Sequence, residues 1–162
     1  MFANALASGS GVQAGDAGNI SISSGGDLQV GSSIEARSEV FPLTTGDIPA
    51  GSGLGGNISL TSDSGQISVA EQVITSSKVF AEGGNAGNAG NVVMTSASGL
   101  IDVPEIESIS QAGIFAGNVG QGGNVTLNAG GGFFSTNYKP GVLGPQCRQV
   151  EVGMSTCRRL EG

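Results

Sequence analysis

Glu71 and Glu105 are the residues of this chain whose type and spacing come closest to a catalytic pair. Each lies two positions after a valine that closes a short apolar stretch, Val69 and Val103. Carboxylates stacked on neighbouring turns repel each other unless a cation or a sugar substrate lies between them. On a β-helix such a pair could hold calcium, or act as acid and base on a polysaccharide. A solvated corner is the competing interpretation, because Ser32 replaces the acid in the first repeat and no lysine or arginine aligns beside the pair.

Three other patterns are similar to binding motifs, but structural roles explain them better. Residues 51–56, GSGLGG, match a dinucleotide-binding motif, yet a predicted strand follows where a helix is required. The stretch GLGGNISL lacks the aspartate and the nine-residue repetition of a calcium-binding nonapeptide. Asn19, Asn57 and Asn124 begin N-x-Ser/Thr sequons, but a glycan on each would interrupt the stacking of strands. We therefore predict no catalytic residue, no metal ligand and no cofactor site.

The charge and composition of the chain exclude several classes of function. Six lysines and arginines stand against thirteen aspartates and glutamates, which gives a net charge of −7 and no basic stripe for nucleic acid. Histidine is absent, and with it the commonest general base and metal ligand. No apolar run approaches the roughly 20 residues of a membrane-spanning helix. The composition predicts a non-enzymatic protein without a nucleic-acid partner or a membrane span.

A repeat organises most of the chain. The stretches GDAGNISI, GLGGNISL, GNAGNVVM and GQGGNVTL share a Gly-Asn pair followed by an alternating strand, with their asparagines 38, 34 and 33 residues apart. In each repeat a second short strand follows, and a third then ends in serine- or threonine-rich sequence. Three such strands cannot form a core alone, but stacked coils bury one another's apolar side chains. The repeated asparagines are Asn19, Asn57, Asn91 and Asn124.

The period predicts an all-β fold, a right-handed parallel β-helix of about four three-strand coils. Residues 1–134 form the predicted solenoid body, and residues 135–162 form a non-repeat tail or cap. A β-sandwich has the same alternation of apolar and polar residues, whereas a propeller needs four strands per blade. Glycine before each asparagine permits the positive φ of a tight turn. The four stacked asparagines are predicted to form a structural ladder of side-chain hydrogen bonds.

Cys147 and Cys157 lie in the predicted tail. Two cysteines without a histidine do not make a zinc site. In an exported protein they would form one disulfide, and in a cytosolic protein they would be free thiols.

The repeats resemble those of bacterial filamentous-haemagglutinin-type exoproteins, the large secreted partners of two-partner secretion systems. The resemblance covers residues 12–134 and is carried by GDAGNISISSGGDLQVGSSIEARS, GSGLGGNISLTSDSGQISVAEQVITSS, GGNAGNAGNVVMTSASGLIDV and GQGGNVTLNAGG. It implies a right-handed β-helix that is secreted or exposed on the bacterial cell surface, as an adhesin or as the stalk of an adhesin or toxin. The start, MFANALASGSG, lacks a signal peptide, so we interpret the chain as a segment of a longer protein with its export signal elsewhere.

The resulting expectation is a non-catalytic structural or adhesive segment that binds a glycan or protein on cells or outside them. The loops at 39–55 and 78–90 vary most between repeats, which makes them the expected recognition sites. End-to-end association of copies is a further expectation, because stacked coils leave open ends. The alternative is a β-helical carbohydrate-active enzyme, a polysaccharide lyase or hydrolase, that uses a face with Glu71 and Glu105.

Overall fold

The computed structural model describes residues 1–9, 11–41, 51–80, 83–112, 118–131, 133–134 and 137–143. Cys147 and Cys157 lie outside these residues, so the predicted disulfide stays a prediction.

The described residues form β-strands joined by turns and extended segments, and none of them is helical. After β1 (Ala5–Ser8), the strands follow in groups of three, two short and one long. The groups are β2 (Ile20–Ser24), β3 (Leu28–Val30) and β4 (Ile34–Phe41); β5 (Ile58–Ser62), β6 (Ile67–Val69) and β7 (Gln72–Val79); β8 (Val92–Ser96), β9 (Ile101–Asp102) and β10 (Glu105–Ala112); and β11 (Val125–Ala129), β12 (Phe133–Phe134) and β13 (Asn137–Leu143).

Equivalent strands of successive groups pair in parallel and form three sheets. The first sheet has the order β11-β8-β5-β2, the second β12-β9-β6-β3 and the third β1-β4-β7-β10-β13. Three complete turns, β2–β4, β5–β7 and β8–β10, therefore stack as a parallel β-solenoid, and β11–β13 continue it. This confirms the all-β parallel solenoid predicted from the repeats. Strand β13 lies within residues 135–162 and pairs with β10, while the predicted division into body and tail stays a prediction.

The main core is a set of apolar columns between the three sheets. The two apolar residues after each repeated asparagine point inward and stack in register across the first sheet. Ile58, Leu60, Val92 and Met94 on the middle coils are fully buried, whereas Ile22 and Leu127 on the outer coils are only partly buried. Each coil thus depends on its neighbours for burial, which is the reason a single repeat cannot fold alone.

The strands of the third sheet are longer than the sequence predicts. Each of β4, β7 and β10 has eight residues, whereas a short strand that ends in the serine- or threonine-rich sequence was expected. On these three strands, the serine and threonine side chains that point into the solenoid are fully buried. We call them the hydroxyl strip, and they are Ser38, Thr75, Ser77, Ser108 and Ser110. Beyond this strip a small apolar cluster contains Ala14, Val40, Val79 and Ala86.

Two leucines give a direct test of the core. We expect Leu60→Ala to lower the free energy of unfolding by about 3 kcal/mol, because Leu60 is fully buried and its truncation leaves a cavity. Leu54→Ala is the matched control: Leu54 is 48% exposed, and we expect a change within about 0.5 kcal/mol. Chemical denaturation followed by circular dichroism measures both. Equal losses for the two variants would contradict the assigned core.

Candidate functional site

Between the third sheet and the first, each coil crosses in an extended segment that has a period of three residues. The third coil shows the pattern most clearly as Asn85-Ala86-Gly87-Asn88-Ala89-Gly90-Asn91, in which a polar residue, a small residue and a glycine repeat. The equivalent segments are residues 13–19, 51–57 and 118–124. We call the four stacked segments the triplet wall. The Gly-Asn pairs that identified the repeat are the last two residues of each segment.

The repeated asparagines form one column along the wall. The backbone N–H of Asn57 donates to Oδ1 of Asn19 (2.8 Å), that of Asn91 to Oδ1 of Asn57 (2.9 Å) and that of Asn124 to Oδ1 of Asn91 (2.8 Å). In addition, Nδ2 of Asn57 donates to Oδ1 of Asn19 (3.2 Å). The predicted contact was between side-chain amides, and that contact is found at this first step. The contact that recurs between all four joins a side-chain oxygen to the backbone of the next coil.

Two further columns along the wall have the same contact between a backbone N–H and a side-chain oxygen of the previous coil, and they were not predicted from the sequence. The N–H of Gln121 donates to Oδ1 of Asn88 (2.8 Å), and that of Leu54 donates to Oδ1 of Asp16 (2.8 Å). Six residues before the repeated asparagine, the N–H of Asn118 donates to Oδ1 of Asn85 (2.7 Å). The available signal was the recurrence of Asn, Asp or Gln three and six residues before Asn19, Asn91 and Asn124, although Leu54 and Gly51 occupy these positions before Asn57.

The triplet period exists because each of its three backbone N–H groups has a different partner. The small residue donates to the carbonyl of the next coil, as Ala17 does to Leu54 (2.9 Å). The polar residue donates to the side-chain oxygen of the previous coil, as described above. The second glycine of a segment donates its N–H to the third sheet, as Gly56 does to the carbonyl of Ala36 (3.3 Å) and Gly123 does to Oγ of Ser108 (2.9 Å). The first glycine differs, because the N–H of Gly120 donates to the carbonyl of Ala86 on the previous coil (2.9 Å). The wall thereby satisfies backbone groups that would otherwise be costly to bury.

Close approach of the backbone determines which positions of the wall are glycine. A Cβ added to Gly90 would overlap the carbonyl group of Gly56, and one added to Gly123 would overlap that of Gly90. The prediction that these glycines supply a positive φ is wrong, because among the described residues positive φ occurs at Gly9, Gly11 and Gly83. Glycine is needed here because the space above each Cα is already filled by the neighbouring coil.

The hydroxyl strip fastens the inner side of the wall to the third sheet. Oγ of Ser77 donates to the carbonyl of Gly53 (2.8 Å), and Oγ of Ser110 donates to that of Gly87 (2.7 Å). Thr75 Oγ1 donates to the carbonyl of Gly90 (2.6 Å). These buried hydroxyls are therefore hydrogen-bonded structural groups.

The two glutamates proposed as a catalytic pair do not occupy one column. The register places Glu105 opposite Gln72, so the expected stacking of Glu105 on Glu71 is wrong. Oε2 of Glu71 instead accepts hydrogen bonds from the N–H (3.1 Å) and Oγ (2.7 Å) of Ser33. Within the described ranges, no group of three or more Cys, Asp or Glu side chains could hold a metal ion.

Other carboxylates of the third sheet form ion pairs. Nζ of Lys78 lies 2.6 Å from Oε1 of Glu107, and Arg37 lies between Glu35 (3.1 Å) and Glu39 (3.7 Å). These contacts link residues on the same sheet and leave the carboxylates engaged with protein cations.

An exposed aromatic pair lies at the end of the third sheet. The rings of Phe41 and Phe80 are stacked, with centroids 5.2 Å apart and planes 15° from parallel. The N–H of Phe80 donates to the carbonyl of Val40 (3.1 Å), so the pair extends the strand ladder by one residue. Phe41 is 42% exposed and Phe80 is 44% exposed. Both residues belong to the loops at 39–55 and 78–90, which were predicted from the sequence to be recognition sites. Residues 42–50 and 81–82 of these loops are not among the described residues.

The fold and the ladders together define a parallel β-solenoid protein. No family model, curated protein or solved structure matches the chain. Among the described residues there is no helix long and apolar enough to cross a membrane.

The glycine columns predict a strong dependence of stability on a single methyl group. We expect Gly90→Ala to destabilise the protein by about 3 kcal/mol or to prevent folding, because the added Cβ meets the backbone of Gly56. Gly31→Ala is the control: its Cβ would have no atom within 4 Å, and we expect a change within about 0.5 kcal/mol. Thermal melts of the two variants and the wild type measure this difference in stability. If Gly90→Ala melted with the wild type, the assigned close approach of the coils would be wrong.

The asparagine column predicts that the side-chain oxygen, rather than the amide group, is required. Asn91→Ala removes the acceptor for the N–H of Asn124, and we expect a loss of about 1 kcal/mol in the free energy of unfolding. Asn91→Asp keeps an oxygen at that position, as Asp16 does in its own column, and we expect less than half of that loss. Denaturant titration of the two variants is the measurement. An equal loss in both would show that the amide nitrogen matters instead.

Proposed function

We propose that this chain is a non-catalytic structural and adhesive segment of a secreted or surface-exposed bacterial exoprotein of the filamentous-haemagglutinin type. The observation that carries the proposal is the direction of its polar contacts, which run along the solenoid axis from coil to coil. Proteins of this construction present long surfaces rather than deep pockets. A bacterial surface stalk or adhesin requires such a surface.

The structural part of the proposal is supported by how the polar side chains are used. Asn57 and Asn91 accept hydrogen bonds from the following coil, and the buried serines bind the carbonyls of the wall. In a catalytic site, by contrast, polar groups converge on a position that substrate can occupy. The asparagine and serine side chains named above therefore serve the stacking of the coils.

The adhesive part of the proposal is supported by the exposed pair Phe41 and Phe80. Aromatic residues make up only 4% of the chain, and two of them stack on the surface at the start of a variable loop. Aromatic faces supply a large rigid contact area, and exposed apolar patches mark interaction sites. The partner class that we propose is a glycan or protein on the surface of another cell, with contact centred on this pair.

Binding by the full-length chain tests the proposal. We expect labelled protein to bind saturably to a subset of glycans on an array or to intact eukaryotic or bacterial cells. The double variant Phe41→Ser/Phe80→Ser should weaken that binding at least about tenfold, because it removes a central aromatic contact. Phe2→Ser is the control, since Phe2 is 65% exposed and pairs with Glu35 at the opposite end of β4 from Phe41. Circular dichroism confirms that each variant is folded.

Several other outcomes would contradict the proposal. Absence of saturable binding, or equal binding by the double variant and the control, would remove the adhesive role. Turnover of a polyuronate in the presence of calcium that is lost in Glu71→Gln would instead favour the carbohydrate-active alternative.

Antibodies against the chain test the proposed location. Labelling of intact cells of the bacterium that makes the protein would support it, and labelling only after lysis would oppose it.

A further inference from the structure

The second coil departs from the triplet pattern at two positions. In the other three segments of the triplet wall, the first and the fourth residues are Asn, Asp or Gln, whereas on the second coil they are Gly51 and Leu54. Neither residue has a side-chain oxygen, so Leu54 cannot accept the N–H of Asn88 as Asn88 accepts that of Gln121 (2.8 Å). Two stabilising columns are therefore interrupted on this coil. A sequence that breaks its own pattern in this way is expected to do so at a functional site.

The interruption at Gly51 coincides with a depression in the wall. The depression has a volume of about 430 Å³ and is lined by three residues from each of the first three coils. This volume falls within the range of roughly 300–1,000 Å³ that is usual for small-molecule sites. A Cβ added to Gly51 would lie 3.7 Å from Nε2 of Gln13 and from the carbonyl oxygen of Asn85, which are ordinary contact distances. The missing side chain at Gly51 thus leaves room between its neighbours in the column.

The polar side chains that line the depression have atoms to spare. Oδ1 of Asp16 accepts the N–H of Leu54, and Oδ1 of Asn85 accepts that of Asn118. Among the described residues, Oδ2 of Asp16, Nδ2 of Asn85 and the side-chain amide of Gln13 have no partner. All three side chains are exposed. The depression therefore offers a carboxylate that only accepts hydrogen bonds and two carboxamides that donate as well as accept them.

This set of groups fits hydroxyl groups better than ions. A calcium ion needs six to eight oxygen ligands, and Asp16 is the one carboxylate among the residues that line the depression. An anion would be repelled by Asp16 and by the net charge of −7. A hydroxyl group both donates and accepts, so it can bind the carboxylate and a carboxamide together. The geometry favours an uncharged ligand with several hydroxyl groups.

The aromatic pair, Phe41 and Phe80, lies at the same corner of the solenoid. Ala14 and Ala86 line the depression and pack in one apolar cluster with Val40 and Val79, which directly precede the two phenylalanines in the chain. A ligand that binds in the depression can therefore extend toward an exposed aromatic surface. A sugar offers what both sites require, because its hydroxyl groups lie at the edge of the ring and its C–H groups form an apolar face.

We propose that the depression at Gly51 binds the hydroxyl groups of a neutral glycan, and that the aromatic pair contacts the apolar face of one of its sugar rings. Oδ2 of Asp16 accepts hydrogen bonds from the sugar, and the amides of Gln13 and Asn85 donate to its oxygens. This inference rests on the proposed adhesive function and narrows the partner from a glycan or protein to a neutral glycan. Gly51 determines the specificity, because the absence of its side chain opens the site.

Filling the depression tests the proposal. Neutral oligosaccharides that end in galactose, glucose or N-acetylglucosamine are screened on an array, and the one with the strongest signal is titrated into the full-length chain. We expect Gly51→Asn to weaken its binding at least about tenfold, because the new side chain occupies the depression. The variant should melt no lower than the wild type, since its asparagine restores the column. Gly31→Asn is the control: a Cβ there has no atom within 4 Å, and the affinity should not change.

The charge of Asp16 provides a second test that leaves the depression open. Asp16→Asn keeps an oxygen for the N–H of Leu54 but removes the carboxylate, and we expect about a fivefold loss of affinity for the neutral oligosaccharide. The same oligosaccharide with a sialic acid or sulfate group should bind more weakly to the wild type, because its negative charge meets Asp16. This difference between neutral and acidic forms should shrink in Asp16→Asn.

The proposal is overturned if no neutral oligosaccharide binds, if the acidic forms bind more tightly, or if Gly51→Asn and Asp16→Asn both keep the wild-type affinity. Failure of this site differs from failure of the adhesive function. Glycan binding that is lost in Phe41→Ser/Phe80→Ser but kept in both wall variants, or binding to a protein alone, would remove the depression and leave the adhesive role. Absence of saturable binding to any glycan or cell would remove both.

Discussion

The stacking of backbone directly on backbone is the constraint on which the rest of this structure depends. Coils of a parallel solenoid lie about 4.8 Å apart, and the triplet wall must keep that spacing where no regular strand does so. At the column of Gly56, Gly90 and Gly123 the spacing leaves no room for a Cβ atom. The glycines in turn leave no side chains to fill the interior, so the facing strands supply small hydroxyl groups that bind the exposed carbonyls. Glycine columns and buried serines are therefore two consequences of one distance.

The same constraint explains why the polar residues of the wall do not form a pocket where their columns are complete. The wall does not pair all of its N–H groups with carbonyls of the next coil, and side-chain oxygens of the previous coil accept others, such as those of Leu54, Asn91 and Gln121. Asparagine meets this need, and Asp16 shows that the carboxylate oxygen of aspartate does so too. These side-chain oxygens point along the solenoid axis and are used in contacts between coils. The groups that remain available to a partner are therefore those at the strand ends, in the loops and beside Gly51, where a column is interrupted. The recognition that we propose for this protein therefore uses exposed groups such as Phe41 and Phe80.

The sequence was sufficient to predict the fold because the repeated asparagines and the apolar pairs after them fix the register of the first sheet. The sequence was insufficient for the buried polar residues, because serine-rich sequence is typical of loops. Only the glycine carbonyls opposite Ser77 and Ser110 explain why these hydroxyls are buried in a strand. The glutamates were misaligned for a different reason. Gln72 lies three positions after Val69, whereas Glu105, the partner of Gln72, lies two positions after Val103, so counting from the valines shifts the register by one.

The asparagine column also has a direction, and this direction makes the two ends of the solenoid chemically different. Each coil offers side-chain oxygens toward the carboxyl-terminal end and backbone N–H groups toward the amino-terminal end. Two identical ends therefore cannot satisfy each other, and a new coil can join only with its chain running in the same direction. Open parallel edges normally invite uncontrolled pairing. Within the described residues β1 begins the third sheet one level before β2 and β3 begin the first and second sheets, so the three sheets are not level where the described strands start.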